Sequence, residues 1–539
     1  MTPPPDTTRI SLLVPVYDTP ADVLEATIRS VLTQTSPDWE LCLYDDASPH
    51  PDVRDVLGDY RGTDARIKVI HGRENLHIAR ATNAAAEFAT GQFVGFLDHD
   101  DVLAPHAVAT MLAAIAANPD ADLFYSDEDK LEPDGTRSES YFKPDWSPEH
   151  LQSVMYVLHL TVMRKRLFFA VGGLRHAYTG AQDYDLALRA TAAARRVVHV
   201  PGVLYHWRKI PGSAAAVVDA KPQALVNARA ALADFVRGQD PAARVEDGLF
   251  QGSFRVVWPV AAERRVTLLI LTRGTERIVP GRGEILLLRN AVDSIRTRST
   301  WTNYEIVVVD SGDMPAAIRA EMAAKGVRIE PYRITQPFNF PRLMNFGLSC
   351  VRTEDVILLN DDIEVISPDW IEALLGFTGR PGIGAVGARL LYPDGRVQHQ
   401  GVVLGVLGRS THIFHHLRDG EIGYNGYTHL IRNYSAVTAA VLATRMSLVR
   451  EIGGFDEEMA IDYNDIDFCL RLGRAGYRIV YTPFAKLTHF EGSSLPRAAA
   501  SVPDEAAFTM RWADVITADP FYNAHLPRDR SDCRPTEWS

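Results

Sequence analysis

Two Asp-rich runs, Asp98-His99-Asp100-Asp101 and Asn360-Asp361-Asp362, hold the residues best suited to chemistry in this chain. Neighbouring carboxylates suit a hard divalent cation, which takes one or two of them and completes its shell with phosphate oxygens or water. The runs sit in matching frames. Arg80 and Asn83 precede the first and Arg342 and Asn345 the second, all offset by 262 residues (342−80, 345−83, 360−98, 362−100). A second pattern repeats downstream: Gln182-Asp183-Tyr184-Asp185 closed by Arg189, and Asn464-Asp465-Ile466-Asp467 closed by Arg471. A histidine follows each, His206 and His489, after 23 (206−183) and 24 (489−465) residues. One such Asp at a helix start reads as an N-cap, held by free N–H groups and the helix dipole. Recurrence with a distant Asp run and a spaced His favours a duplicated site.

The elements that must position these residues follow from apolar patterning. Residues 10–16, 40–44, 66–70 and 92–97 read as buried strands, and 21–33 and 79–89 as helices. The second half replays the order with strands at 266–271, 305–309 and 355–359 and a helix at 286–295. Alternating strands and helices predict an α/β fold with a mostly parallel sheet, whose ligands bind beyond the strands' carboxyl ends. Asp45 and Asp310 close the strands at 40–44 and 305–309, and the Asp-rich runs close those at 92–97 and 355–359. A polar stretch over 237–263, broken by Gly and Pro and carrying one short strand at 253–258, reads as a linker. The boundary is set near residue 250, giving domains at 1–250 and 251–539. Residues 493–503 read as a mobile segment, and 508–526 as a tail packing onto the second domain.

Composition narrows the function classes. A chain of 539 residues exceeds what one core serves, and 46% apolar content supports two. A net charge of −12, a pI near 5.8 and the lack of any Lys/Arg block argue against nucleic acid as the partner. Four scattered cysteines, Cys42, Cys350, Cys469 and Cys533, indicate neither a disulfide framework nor a zinc site, which fits a reducing cytoplasm. No apolar h-region opens the chain and no run approaches the roughly 20 residues of a membrane span, so a soluble protein is expected. Residues 151–169, with Arg164, Lys165 and Arg166, read as an amphipathic core helix; peripheral membrane contact is the alternative.

Several motifs resemble the family 2 glycosyltransferases of GT-A fold, in two copies covering nearly the whole chain. Val14-Pro-Val-Tyr17, Asp45-Asp-Ala-Ser48, Phe96-Leu-Asp-His-Asp-Asp101, Tyr125-Ser-Asp-Glu-Asp-Lys130 and Phe142-Lys-Pro-Asp-Trp-Ser-Pro148 carry the first copy. Val309-Asp-Ser311, Pro337-Phe-Asn-Phe-Pro-Arg342, Asn360-Asp-Asp362 and Gly453-Gly-Phe-Asp456 carry the second, which is similar to bacterial O-antigen and rhamnan assembly proteins. The resemblance implies that Asp45 and Asp310 bond a nucleotide base. Asp98, Asp100 and His206 would hold Mg²⁺ or Mn²⁺ against a nucleotide-sugar diphosphate, and Asp362 and His489 would do so in the second site. Asp98 and Asp361 join the nucleotide-sugar contacts, as do Arg80 and Arg342, for which an intradomain salt bridge is the alternative. Asp183 and Asp465 would be general bases for an acceptor hydroxyl. Asp127 and Asp129 read as an exposed acidic loop or as sugar contacts, and Trp146 and Trp207 as half-buried core or sugar-stacking rings.

The resulting expectation is a bifunctional inverting glycosyltransferase that builds a bacterial surface polysaccharide. Its donors would be UDP-, dTDP- or GDP-linked sugars, and its acceptor a glycan or lipid-linked glycan, with contact to the inner membrane or export machinery. A competing reading keeps one half catalytic and makes the other a glycan-binding module; Asn360, where Asp is common, marks the second half as the degenerate one. A nucleotidyltransferase is disfavoured because no Gly-rich basic loop follows the first strand.

Overall fold

The computed structural model describes residues 8–210, 222–279, 283–335, 337–490 and 502–535. They form two compact units. Unit 1 comprises Met1–Val245, Asn523–Leu526 and Pro535–Ser539, and unit 2 comprises Glu246–Tyr522 and Pro527–Arg534. Most of 493–503, read from sequence as mobile, lies outside the described residues.

The unit 1 sheet contains β1 (Ile10–Val16), β2 (Trp39–Asp45), β3 (Ile67–His71), β4 (Phe93–Phe96), β5 (Val102–Leu103), β6 (Leu123–Leu131), β7 (Thr161–Arg164) and β8 (Val197–Arg208). Their spatial order is β3-β2-β1-β4-β7-β6-β8-β5. In unit 2 the corresponding strands are β9 (Val266–Thr272), β10 (Tyr304–Asp310), β11 (Arg328–Pro331), β12 (Asp355–Asn360), β13 (Ile363–Val365), β14 (Ile383–Leu391), β15 (Val441–Arg445) and β16 (Arg478–His489). They run β11-β10-β9-β12-β15-β14-β16-β13, the same order strand for strand. Strands β1 to β4 pair in parallel, as do β9 to β12. Each of β7 and β15 runs antiparallel between its two neighbours.

Burial on both faces explains the uninterrupted apolar runs: all seven residues of β1 and of β2 are buried. Helix Ala21–Leu32 covers this sheet with Leu24, Thr27, Ile28 and Val31, the one-face spacing of an amphipathic helix. Leu287–Arg298 does the same in unit 2 with Leu288, Ala291, Val292 and Ile295.

Residues 151–169 form no single helix. Thr161–Arg164 is a strand, because its backbone satisfies β4 on one side and β6 on the other. The basic residues there bind protein: Arg164 donates to the carbonyl of Ala121, Lys165 to that of Ala89, and Arg166 pairs with Asp122. The tail also departs from expectation. Trp512 is buried in unit 2, its indole donating to Asp467 at 3.0 Å, but Asn523–Leu526 belongs to unit 1, where Asn523 donates to Asp127 at 3.0 Å.

Part of the repeated frame is structural. Asn83 donates to the carbonyl of Leu174 at 2.8 Å and accepts its N–H at 2.9 Å; Asn345 makes the same pair with Phe455, both at 2.8 Å. Each amide clamps a Gly-Gly turn at Gly173 (φ 62°) or Gly454 (φ 75°), where a Cβ would sit 2.6 Å from the Asn oxygen. Arg189 and Arg471 brace the same turns, donating to the carbonyls of Gly173 and Gly454 while paired with Asp185 and Asp467. In unit 2 the end of the central strand is tied to the Asp run: Thr272 Oγ1 donates to Asp361 Oδ2 at 2.6 Å.

Replacing Asn345 with Leu removes both clamp bonds and strands a part-buried N–H and carbonyl, so unit 2 should lose about 2–3 kcal/mol in urea denaturation. Asp361 supplies a pH test. Burial pushes its pKa from 3.8 to about 6, so in that window the folded chain holds a proton that the unfolded chain has released. Its stabilising share is complete below 3.8 and lost as pH rises through about 6. Asp361→Asn keeps a partner for Thr272 and should remove on the order of 3 kcal/mol of that decline, measured as denaturation midpoints between pH 4 and 7.

Candidate functional site

At the end of β2, the buried carboxylate of Asp45 accepts the Ser48 N–H at 3.0 Å and lies 2.9 Å from His71 Nδ1. Burial alone would raise its pKa; the bonds from His71 and Ser48 outweigh burial and hold it below the usual carboxylate range. At the end of β10, Asp310 is equally buried and accepts the N–H groups of Gly312 and Met314. Both also face an Arg nine residues on (54−45, 319−310): Arg54 lies 3.9 Å from Asp45, and Arg319 pairs closely with Asp310. Each sheet therefore presents the same Asp–Arg pair at the end of its second strand.

Beyond β4, Asp98 and Asp101 converge with an imidazole the sequence reading did not select, His159. One ligand atom from each lies within 4.8 Å of the others. Asp100 and His206, the expected companions of Asp98, are outside this trio. Burial, with the charges of Asp98 and Asp100 nearby, pushes the pKa of Asp101 well up, which marks a local surplus of negative charge. Desolvation lowers the half-buried His159 ring to about 4, so its lone pair is available near neutral pH. Two carboxylates and a neutral imidazole fit a divalent cation such as Mn²⁺ or Mg²⁺.

Strand pairing explains why His206 is absent. The 262-residue frame holds as far as Leu103 and Val365, whose N–H groups donate to Ser30 and Ser294 at 3.2 Å each. Leu103 pairs with Tyr205 on β8, but Val365 pairs with Leu487 on β16. His206 thus stands where Thr488 does, and Trp207 where His489 does. Side chains alternate along a strand, so this one-residue slip sends the two histidines to opposite faces. His206 turns to Asp129, Nδ1 to Oδ1 2.6 Å, and Trp207 takes the inward place. His489 stays with its motif: Nε2 lies 3.0 Å from Asp362 Oδ1 and 3.1 Å from Asn360 Nδ2, and Nδ1 lies 2.6 Å from Gln398 Oε1.

The candidate bases open helices Gln182–Ala193 and Asn464–Arg474. Their preceding amides fasten the helix starts, Gln182 accepting the Gly180 N–H at 2.6 Å and Asn464 donating to the Ile461 carbonyl at 2.8 Å. Asp183 and Asp98 line one cavity of about 800 Å³, with Ile78, Phe96, Leu158, His159 and Trp207 in its wall. Desolvation in this wall raises the pKa of Asp183. In unit 2, Asp465 accepts the Ala439 N–H at 3.0 Å, and the Asn360 N–H donates to the Ala440 carbonyl at 3.1 Å. One two-residue turn therefore joins the candidate base to the Asp run.

Arg80 is exposed on helix His77–Glu87, and Arg342, beside a small cavity of about 100 Å³, is paired with Glu457 at 3.0 Å. Asp127 and Asp129 are no exposed loop: both are buried on β6. Asp127 is bound by His199 at 2.8 Å and the Gly202 N–H at 2.8 Å, while Asp129 meets His206. The charged run Tyr125–Lys130 passes for a loop in sequence because its partners, Lys143, His199 and His206, are distant. Trp207 lines the cavity and carries Lys130 Nζ 3.1 Å over its ring; Trp146 is half-buried.

Among the described residues no helix is long and apolar enough to cross a membrane. The uncharacterized protein y4gI of Sinorhizobium fredii (strain NBRC 101917 / NGR234) is 39% identical over 539 residues, covering 97% of this chain and 58% of that protein. The O-antigen biosynthesis protein RfbC of Myxococcus xanthus is 36% identical over 536 residues, covering 97% of this chain and 41% of that one. The chain thus spans about half the length of these curated relatives. The crystal structure of S. aureus TarS 1–349 in complex with UDP-GlcNAc aligns with 44% of the chain and 73% of its own length, at 18% identity and a TM-score of 0.34. The profile of Glycosyl transferase family 2 matches residues 11–170 and 278–434. Matched once in each unit, over the strands whose ends gather the carboxylates, this chain belongs to glycosyltransferase family 2.

Proposed function

We propose that the chain is a bifunctional inverting glycosyltransferase with one nucleotide-sugar site per unit, elongating a bacterial surface polysaccharide such as an O-antigen or capsule. The observation that carries this is the shared cavity of Asp98 and Asp183, with room for a sugar between a diphosphate-side carboxylate and a candidate base. Asp45 and Asp310 bind the base of a UDP-, dTDP- or GDP-linked donor. Arg80 lies near the diphosphate, and Arg342 joins the second one on leaving Glu457. Asp98 with Asp100 or Asp101, and Asp361 and Asp362 with His489, would hold Mg²⁺ or Mn²⁺. Such an ion supplies charge neutralisation for the departing nucleoside diphosphate.

Asp183 and Asp465 take the proton of the acceptor hydroxyl as it attacks the anomeric carbon from the face opposite the leaving group, which inverts configuration. The raised pKa of Asp183 suits a base working near neutral pH. The acceptor is a glycan or lipid-linked glycan, met at the cytoplasmic side of the inner membrane. RfbC, related over nearly all of this chain, supports the O-antigen setting. A second reading, with unit 2 as a binding module, draws on Asn360 and on the N–H that occupies Asp465.

Asp183→Asn and Asp465→Asn separate these readings through the linkages in the product. Each should abolish one linkage, with transfer falling about 10²- to 10⁴-fold, the usual share of general base catalysis. If Asp465→Asn leaves every linkage intact, unit 2 is the binding module. If neither variant changes transfer, the proposed bases are wrong.

A further inference from the structure

The units differ most in where their imidazole comes from. In unit 2 it is His489 on β16, and the strand-equivalent position in unit 1 is Trp207. In unit 1 it is His159, just before β7. Gly95 pairs with Val162 and Ile357 with Ala443, so counting back three residues puts Ala440 at the place of His159. Each unit thus keeps one imidazole beside the first residue of its Asp run, and each lacks the other's.

Tyr205 organises the unit 1 trio. Its hydroxyl donates to Asp101 and accepts the Asp98 N–H at 3.2 Å, and its ring stacks on His159 at 4.4 Å and 13°. Leu487 holds its place in unit 2 and can do none of this. The backbone of His159 is fixed from behind: its N–H donates to Glu128 at 3.1 Å, and its carbonyl accepts from Lys143 at 2.7 Å. Lys143 and Glu128 are themselves a buried pair at 3.0 Å. A ring stacked on Tyr205, on a backbone fixed by Glu128 and Lys143, has the fixed neighbours that hold a ligand in place. Asp101 accepts from Tyr205 and from the Arg208 N–H on different oxygens, and each oxygen keeps a further lone pair.

Resting on the reading that unit 1 binds a divalent cation, we propose that His159, with Asp98 and Asp101, is a ligand of that cation, and that His206 is not. An imidazole among carboxylates shifts preference from Mg²⁺ towards transition ions, so Mn²⁺ is favoured. Ala440 and Trp207 then explain each other: imidazole lost from one strand is supplied by another.

The test uses the full chain with unit 2 silenced by Asp362→Asn and His489→Gln, titrated with Mn²⁺ and followed by the electron paramagnetic resonance of free Mn²⁺, with Mg²⁺ binding read from its displacement of bound Mn²⁺. Adding His159→Gln should weaken Mn²⁺ binding about tenfold or more and Mg²⁺ binding less, while His206→Gln should change neither beyond about twofold. A purely structural His159 would weaken both ions alike, which overturns the assignment, as would loss on His206→Gln with His159→Gln silent. Should His159→Gln fail to fold, the silenced chain bearing His159 must still show directly bonded imidazole nitrogen coupled to Mn²⁺ in pulsed spectra. Lack of that coupling refutes the ligand. If the silenced chain binds no Mn²⁺, the cation reading of unit 1 falls and this one with it; if it binds and His159→Gln is silent, only this one falls.

Discussion

Carboxylates placed at the ends of strands buried on both faces are the constraint on which this molecule is built. Such strands must be apolar along their length, so charge is admitted only where the sheet stops. Asp45, Asp98, Asp310 and the pair Asp361 and Asp362 all stand at such ends. Asp45 and Asp310 are oriented by a following Arg and backbone N–H groups, Asp361 by the Thr272 hydroxyl and Asp362 by His489. Because the strand order is identical in the two units, each presents the same Asp–Arg pair, Asp45 with Arg54 and Asp310 with Arg319.

The same constraint separates cavity-lining from bracing members of one motif. In Asp183-Tyr-Asp185 with Arg189, the Asp185–Arg189 pair grips the Gly-Gly turn that Asn83 also clamps, and Asp183 alone faces the cavity. Unit 2 repeats this division with Asp467, Arg471 and Asn345. Much of what repeats in the sequence therefore fixes the turn beside the site. The charged groups of β6 belong to the same class: Asp127, Glu128 and Asp129 are buried opposite His199, Lys143 and His206, where each charge is paired and hydrogen-bonded.

The units diverge where the strands leave the parallel half of the sheet. Unit 1 keeps an open cavity with Trp207 inward, whereas in unit 2 His489, Asp362 and Asn360 contact one another and Asp465 holds a backbone N–H. A duplicated scaffold thus furnishes its two strand-end clusters differently.

The sequence by itself determined the duplication, the parallel halves of both sheets, and the placing of Asp45, Asp98, Asp183, Asp310 and Asp465 at strand or helix ends. Continuous apolar runs and matching offsets are local or periodic signals, and they survive folding. Only the tertiary structure decided which imidazole joins which carboxylates. Intervals of 23 and 24 residues look alike in a sequence, yet one residue reverses the face of a strand, turning His206 to Asp129 and leaving His489 on its motif. His159 carried no signal because its partners lie 58 and 61 residues upstream (159−101, 159−98), brought near by the pairing of β7 with β4. Strand pairing is a non-local choice, and it had the last word on the chemistry of both sites.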